Sequence, residues 1–166
     1  MLYLTLNWQD DEKQTLFDSQ ERIPDEIYLF IEEAIENHES VLIQSIKAQN
    51  RACFVIGAWI MRRYRWSFMK TLEFLSSRRP DLEMRPSFLE QLHNYEASLV
   101  ARKMGPKTYK WTEISDTVTY HLENDELILR NTYLNSQAGP VFNDYTNINE
   151  ICKKDKLAWR DLETNN

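Results

Sequence analysis

No run of 18 apolar residues occurs anywhere in the 166-residue chain, so no membrane-spanning helix is expected. The first residues, MLYLTLNWQDDEK, lack a basic stretch followed by an apolar one, which excludes a secretory signal at this position. Cysteine is nearly absent. Cys53 and Cys152 are the two present, at no zinc-like spacing, so a disulfide framework is excluded and a reducing, intracellular setting is the default. The three histidines, His38, His93 and His121, are scattered and form no metal-ligand pattern. Internal repeats and low-complexity tracts are missing as well. The net charge of −6 argues against general nucleic-acid binding. What remains is a chain that is 42% hydrophobic, enough to bury a core and offset the entropy of ordering.

The charge is unevenly spread. Residues 1–50 carry 3 basic and 11 acidic groups, residues 51–110 carry 12 and 5, and residues 111–166 carry 5 and 10. A basic block therefore sits inside an acidic protein. Either its charges pair within the fold and along solvated helix faces, or they form a surface for an anion or a partner. Arg62-Arg63-Tyr64-Arg65 poses the same choice, between a solvated helix end and a docking point for an acidic partner.

Leu2, Leu4, Leu6 and Trp8 recur at period two, which predicts a strand with one apolar face. A polar loop over 9–23 follows. Pro24, Asp25 and Glu26 suit a helical first turn, and Ile27, Phe30, Ile31, Ala34 and Ile35 continue it to about Asn37-His38. Val41-Leu42-Ile43 reads as a short buried strand. After the turn SIKAQN, Arg51 to Tyr64 is apolar on most sides and predicts a central helix closed by arginines. Ser67 can cap a helix to about Ser77, Pro80 stops it, and Pro86-Ser87 can open another to about Lys103. Gly105-Pro106 marks a boundary. This divides the chain into a domain over 1–104 and an extended tail over 105–166, with one short helix around Asn124–Asn131.

A turn that hands a buried strand to a helix N-terminus aims backbone N–H groups at one point and suits a phosphate. That unit here is Q-S-I-K-A-Q-N-R-A, residues 44–52. It resembles the protein tyrosine phosphatase signature H-C-x-x-G-x-x-R-S/T. Trp59-Ile60-Met61, the helix to Ser77, Arg78-Arg79-Pro80, and Phe88, Gln91 and Leu92 resemble, in order, the motifs of the dual-specificity branch. YLTLNWQD resembles the strand that delivers that branch's general-acid aspartate, here Asp10. The likeness runs over roughly residues 2–100. It implies an α/β domain with a partial parallel or mixed sheet flanked by helices, followed by the tail.

The resemblance also implies what has been lost. The family nucleophile is cysteine, and Ser45 stands there. A thiol at a helix N-terminus can ionise with a pKa of ~3.5–7.5, whereas a serine needs an adjacent base. Gln44 replaces the family's histidine, Ala48 its loop glycine and Ala52 its hydroxyl residue. The expectation is a protein-binding pseudophosphatase without cofactor, metal, nucleic-acid or membrane partners. Ser45, Ile46, Lys47, Ala48, Gln49, Asn50 and Arg51 form the candidate phosphate-binding loop, and Asp10 is the degenerate acid. Two alternatives remain: a phospho-residue reader anchored by Arg51, or a weak phosphatase. Asp10 beside Asp11 and Glu12 is equally an acidic loop. Cys53 reads as a buried small hydrophobe, with a shifted nucleophile as its alternative. Family domains begin with further strands ahead of the one that matches residues 2–8. Either the numbering starts at a late methionine or the sheet is incomplete, and an incomplete sheet has an edge that invites another chain. A polar tail in need of a surface points to several protein partners in a large cytoplasmic assembly, cytoskeletal or ciliary.

Overall fold

The computed structural model describes residues 2–18, 20–46, 49–107, 109–111 and 124–138. It divides into two compact units, Met1–Lys110 and Trp111–Asn166. The first contains α1 (Arg22–Glu36), α2 (Arg51–Arg63), α3 (Phe68–Arg78) and α4 (Pro86–Ala101). The second contains α5 (Asn124–Ala138), which runs a further two turns beyond the expected Asn124–Asn131. Among the described residues no helix is long and apolar enough to cross a membrane.

Helix α2 is the axis of the first unit, and its sequence explains why. Ala52, Cys53, Phe54, Val55, Gly57, Ala58, Ile60 and Met61 are all buried, so the helix is covered on most sides. Gly57 lets α3 and α4 come close: a Cβ there would lie 3.1 Å from Leu92 Cδ2 and 3.4 Å from Leu75 Cδ1. Phe54, Phe88, Leu92 and Leu16 are completely buried in the main cluster. Ser67 caps α3 by accepting the Lys70 N–H at 3.2 Å, and Pro86 occupies the first turn of α4.

The polar stretch before α1 is a loop with an apolar anchor that its composition hides. Leu16 is fully buried, and burying a leucine contributes about 1.5–3 kcal/mol. Phe17 packs against Phe54 and Tyr95, at 4.7 and 4.9 Å between ring centroids. Gln91 on α4 completes the anchor. Its side-chain oxygen accepts the Leu16 N–H at 2.7 Å, and its nitrogen donates to the Gln14 carbonyl at 3.0 Å.

The two expected strands form no ladder among the described residues, where the single bridge-type residue is Trp66. Their burial still alternates. Leu4, Leu6 and Trp8 turn inward while Leu2 is 76% exposed; Val41 and Ile43 turn inward while Leu42 is 75% exposed. The expectation of a buried strand at 41–43 is thus corrected. One face rests on Ile27, Ile31 and Val55, and the other is open.

The charge asymmetry resolves largely into internal pairs. Arg62 meets Asp25 at 2.5 Å and lies over the Tyr28 ring at 3.9 Å. Arg63 pairs with the buried Glu32, whose other oxygen accepts the Trp59 indole N–H at 2.7 Å. Arg102 reaches Glu21 at 2.7 Å and Asp25 at 2.9 Å. Arg65 donates to the Gly105 carbonyl at 2.8 Å, which ties the 62–65 cluster and the Gly105 turn together. These arginines bind the acidic first block to the basic second one. They do not form the solvated helix end that their clustering suggested.

Candidate functional site

The site lies where the segments 2–8 and 41–46 meet the start of α2. Trp8, at the end of the first, accepts the Arg51 Nη1–H on its carbonyl at 2.7 Å. Ser45, at the end of the second, is half-buried, and its hydroxyl accepts the Ala52 N–H at 3.3 Å. Ser45 thus places a hydroxyl oxygen at the first turn of α2, where amide donors are unsatisfied by the helix itself. Lys47 and Ala48, the centre of the expected loop, lie outside the described residues. Ile46 is 79% exposed, and Gln44 is also exposed.

The rest of the loop is held by side chains whose polar groups are already engaged. Gln49 donates to the Asp81 carbonyl at 3.0 Å. Asn50 donates to Asp10 Oδ2 at 3.4 Å and accepts the Arg85 N–H at 2.8 Å. Arg85 is the residue that sequence reasoning missed. Its Nε donates to Asp10 Oδ1 at 2.7 Å, and its Nη1 approaches Glu12 at 3.7 Å. The hydrogen bond from Arg85, aided by its charge and by Asn50, holds the Asp10 carboxyl below its ordinary range. Nothing in the residues around Arg85 signalled the pairing, because Asp10 lies 75 residues away in sequence.

Arg51 differs from its neighbours. One terminal nitrogen is committed to Trp8, but its Nε is buried without a hydrogen-bond partner among the described residues. A buried donor of this kind ordinarily has a partner. Against an incoming anion stand the carboxylates braced on the same loop, Asp10 through Asn50 and Asp81 through Gln49. Cys53 faces the main core cluster, and burial pushes its thiol pKa up. That is the opposite of what a nucleophile needs. His38 is exposed, and His93 packs edge-on to Phe68 at 5.3 Å. His121 falls outside the described residues. Among the described residues no cluster of three or more metal-ligating side chains forms.

The family description "Dual specificity phosphatase, catalytic domain" matches residues 3–98, more than half of the chain. The chain belongs to the dual-specificity phosphatase family. It is similar to Dual specificity protein phosphatase 1B of Arabidopsis thaliana, with 32% identity over 45% of each chain. It is also similar to Protein phosphatase Slingshot of Drosophila melanogaster, with 30% identity over 61% of this chain and 9% of that one. A third relative, Protein-tyrosine-phosphatase IBR5 of Arabidopsis thaliana, is 24% identical over 60% of this chain and 36% of its own length. The chain therefore spans less than half of each of these relatives. No solved structure matches.

The motif at Phe88, Gln91 and Leu92 has a physical role in this structure. Phe88 and Leu92 are fully buried, and Gln91 clamps residues 14–16 of the loop that follows Asp10 onto α4.

Proposed function

We propose that the chain is a catalytically inactive member of the dual-specificity phosphatase family that works by binding proteins. The observation that carries this reading is Ser45. Its hydroxyl stands at the position that matches the family nucleophile, accepts the Ala52 N–H, and has no carboxylate or imidazole hydrogen-bonded to it among the described residues. Serine attack on a phosphate ester requires such a base. The engagement of Asp10 with Arg85 supports the same reading from the side of the leaving group.

Turnover of para-nitrophenyl phosphate tests it directly. No turnover above buffer is expected from the protein as it stands. Ser45→Cys is expected to stay inactive as well, because Gln44, Ala52 and the Asp10–Arg85 pair are unchanged. Activity of the unaltered protein that disappears in Arg51→Ala would sink the proposal.

A second reading is favoured by one feature, the unpartnered Arg51 Nε. In this reading the loop from Ser45 to Arg51 holds a phosphorylated residue without cleaving it, and Arg51 is the anchor. Titration with phosphotyrosine and phosphothreonine peptides decides it. Affinity lost in Arg51→Ala supports the reader; no affinity, or affinity indifferent to that change, removes it.

The family fold implies a mixed sheet, and the alternating burial of residues 2–8 and 41–46 supports such a sheet as its remnant. The second unit serves as a further contact surface in a larger cytoplasmic assembly, cytoskeletal or ciliary. The exposure of Leu127 and Ile128 on α5, 41% and 63%, supports this part. Deleting residues 105–166 should abolish incorporation into the native complex, and unchanged incorporation would count against it.

A further inference from the structure

Three of the cations that the internal pairs leave over gather at one corner. Arg65 follows α2, and Lys103 and Lys107 follow α4. The Arg65 side chain donates from Nε to the Gly105 carbonyl at 2.8 Å and from Nη2 to the Lys103 carbonyl at 3.4 Å. Its own carbonyl accepts the Lys107 N–H at 3.0 Å. One arginine thus holds residues 103–107 at both ends. Arg65 turns the chain out of α2 with φ 53° and Lys103 turns it out of α4 with φ 61°, both in the left-handed region that side chains seldom adopt. Gly105 fits because it has no side chain: a Cβ there would lie 2.6 Å from Val100 Cγ2. The turn is therefore packed and tied down, yet its charges face solvent. Lys103 and Lys107 are exposed, and Val100 beside them is 53% exposed. Among the described residues none of the three cations reaches a carboxylate. Glu96, one turn before Val100 on α4, is committed to the Phe68 N–H.

We infer that this corner docks an acidic segment of a partner protein, with carboxylates set against Arg65, Lys103 and Lys107 and an aliphatic side chain against Val100. This deepens the protein-binding reading above and rests on it; the inference does not depend on whether phosphate is turned over. Three arguments identify the occupant. First, the charge is complementary, and a turn already pinned in place presents it at little ordering cost. Second, a single bound phosphate does not suit the corner. Arg65 spends Nε and Nη2 on carbonyls, and the N–H groups of Lys103, Met104 and Lys107 are bonded to the carbonyls of Val100, Leu99 and Arg65. No set of donors is left to converge on one ion. Third, larger polyanions do not suit it either. A nucleic acid would meet a chain of net charge −6, and an anionic membrane is recognised by clusters of about 4–8 lysines and arginines. Carboxylates spread along a peptide, each touching a separate cation, match what the corner offers.

The test uses the full chain and a rhodamine-labelled twelve-residue peptide that repeats glutamate-glutamate-leucine. Fluorescence anisotropy should rise saturably at low salt, and binding should weaken severalfold as salt is raised. Lys103 and Lys107 are exposed, so Lys103→Glu with Lys107→Glu should leave the fold intact. This double variant should bind the peptide about tenfold or more weakly. It should also bind a peptide with lysine in place of glutamate more tightly than the unaltered protein does. Lys13→Glu with Arg22→Glu changes the net charge equally, at exposed positions elsewhere, and should change binding by no more than about twofold. Carbodiimide should cross-link the bound peptide to Lys103 or Lys107 of the unaltered protein, which needs no variant at all. Absence of saturable binding, equal loss in the two double variants, cross-links confined to other lysines, or tighter binding of an oligothymidylate of the same length would overturn the inference. A native complex that survives Lys103→Glu with Lys107→Glu brings down this assignment alone. Absence of any native complex brings down the protein-binding reading beneath it.

Discussion

The two sides of α2 are finished to different degrees. Toward α3 and α4 the helix is sealed: Phe54, Phe88 and Leu92 have no exposure, and Met61 and Leu99 have 1%. Toward α1 and the extended segments, Val55, Ile27 and Ile31 are buried, but the layer above them is only half covered, and Leu2 and Leu42 stand three-quarters exposed. Both sides are apolar, so hydrophobicity does not separate them. The difference lies in the backbone. A helix satisfies its own N–H and C=O groups, so helix packing needs only complementary side chains. An extended segment must find its hydrogen-bond partners on another strand, and 4–7 and 40–46 do not find them in each other.

Hydrogen exchange should show this contrast at its largest. Amides in the middle of α2 should open only with global unfolding, on the order of 5–15 kcal/mol, while those of 41–46 should exchange at close to unprotected rates. Equal protection on the two sides would break the comparison. Next in size is Phe54→Ala. It removes a fully buried ring that contacts Trp8, Phe17 and Phe88, and should cost about 3–5 kcal/mol in denaturant unfolding. On the other side Ile31→Val should cost about 0.5–1.5 kcal/mol, toward the lower end, because the half-open layer can relax around the lost methyl group. A loss beyond that range would mean that this side is closed too.

The smallest effect is electrostatic and concerns the loop that crosses from one side to the other. Asp10 has a folded pKa below the ordinary 3.8, chiefly through its hydrogen bond from Arg85. A lowered carboxyl stabilises the fold at every pH above its unfolded value, and that contribution disappears as the pH falls through the folded value. Asp18, Asp25 and Asp81 are lowered as well. For Asp25, burial works against the shift and the hydrogen bonds from Arg102 and Arg62 outweigh it. Unfolding midpoints should therefore hold steady from neutral pH to about 4 and fall below 3.8. Asp10→Asn should flatten part of that acid limb. An unchanged limb would show that the Asp10–Arg85 pair is not maintained in solution, where exposed pairs are often weak.

Most of the helical framework was legible in the residues. Ser67 as a cap, Pro86 as a starter, the apolar surround of α2 and the arginines at its end are local signals, and each corresponds to an observed helix boundary or buried face. The helices form where they do because their hydrogen bonds close within four residues. The identity of the candidate site was local too: Ser45, Gln44 and Ala52 stand in one contiguous motif followed by a helix.

The long-range partnerships had no local signal. The pairing of Arg85 with Asp10, the clamp of Gln91 on residues 14–16 and the docking of Leu16 beneath a polar loop each join positions about 75 residues apart or bury one residue of a hydrophilic run. The same holds for the extended segments. Their period-two pattern determined which side chains turn inward, but a strand's neighbour is set by whatever backbone comes alongside it. The sequence by itself therefore determined the helices, the inward faces and the contiguous motif over residues 44–52. Only the tertiary structure decided that Asp10 is held by Arg85, that one nitrogen of Arg51 is unpartnered among the described residues, and that Arg65 meets Lys103 and Lys107 at one corner, because those properties belong to contacts between distant parts of the chain.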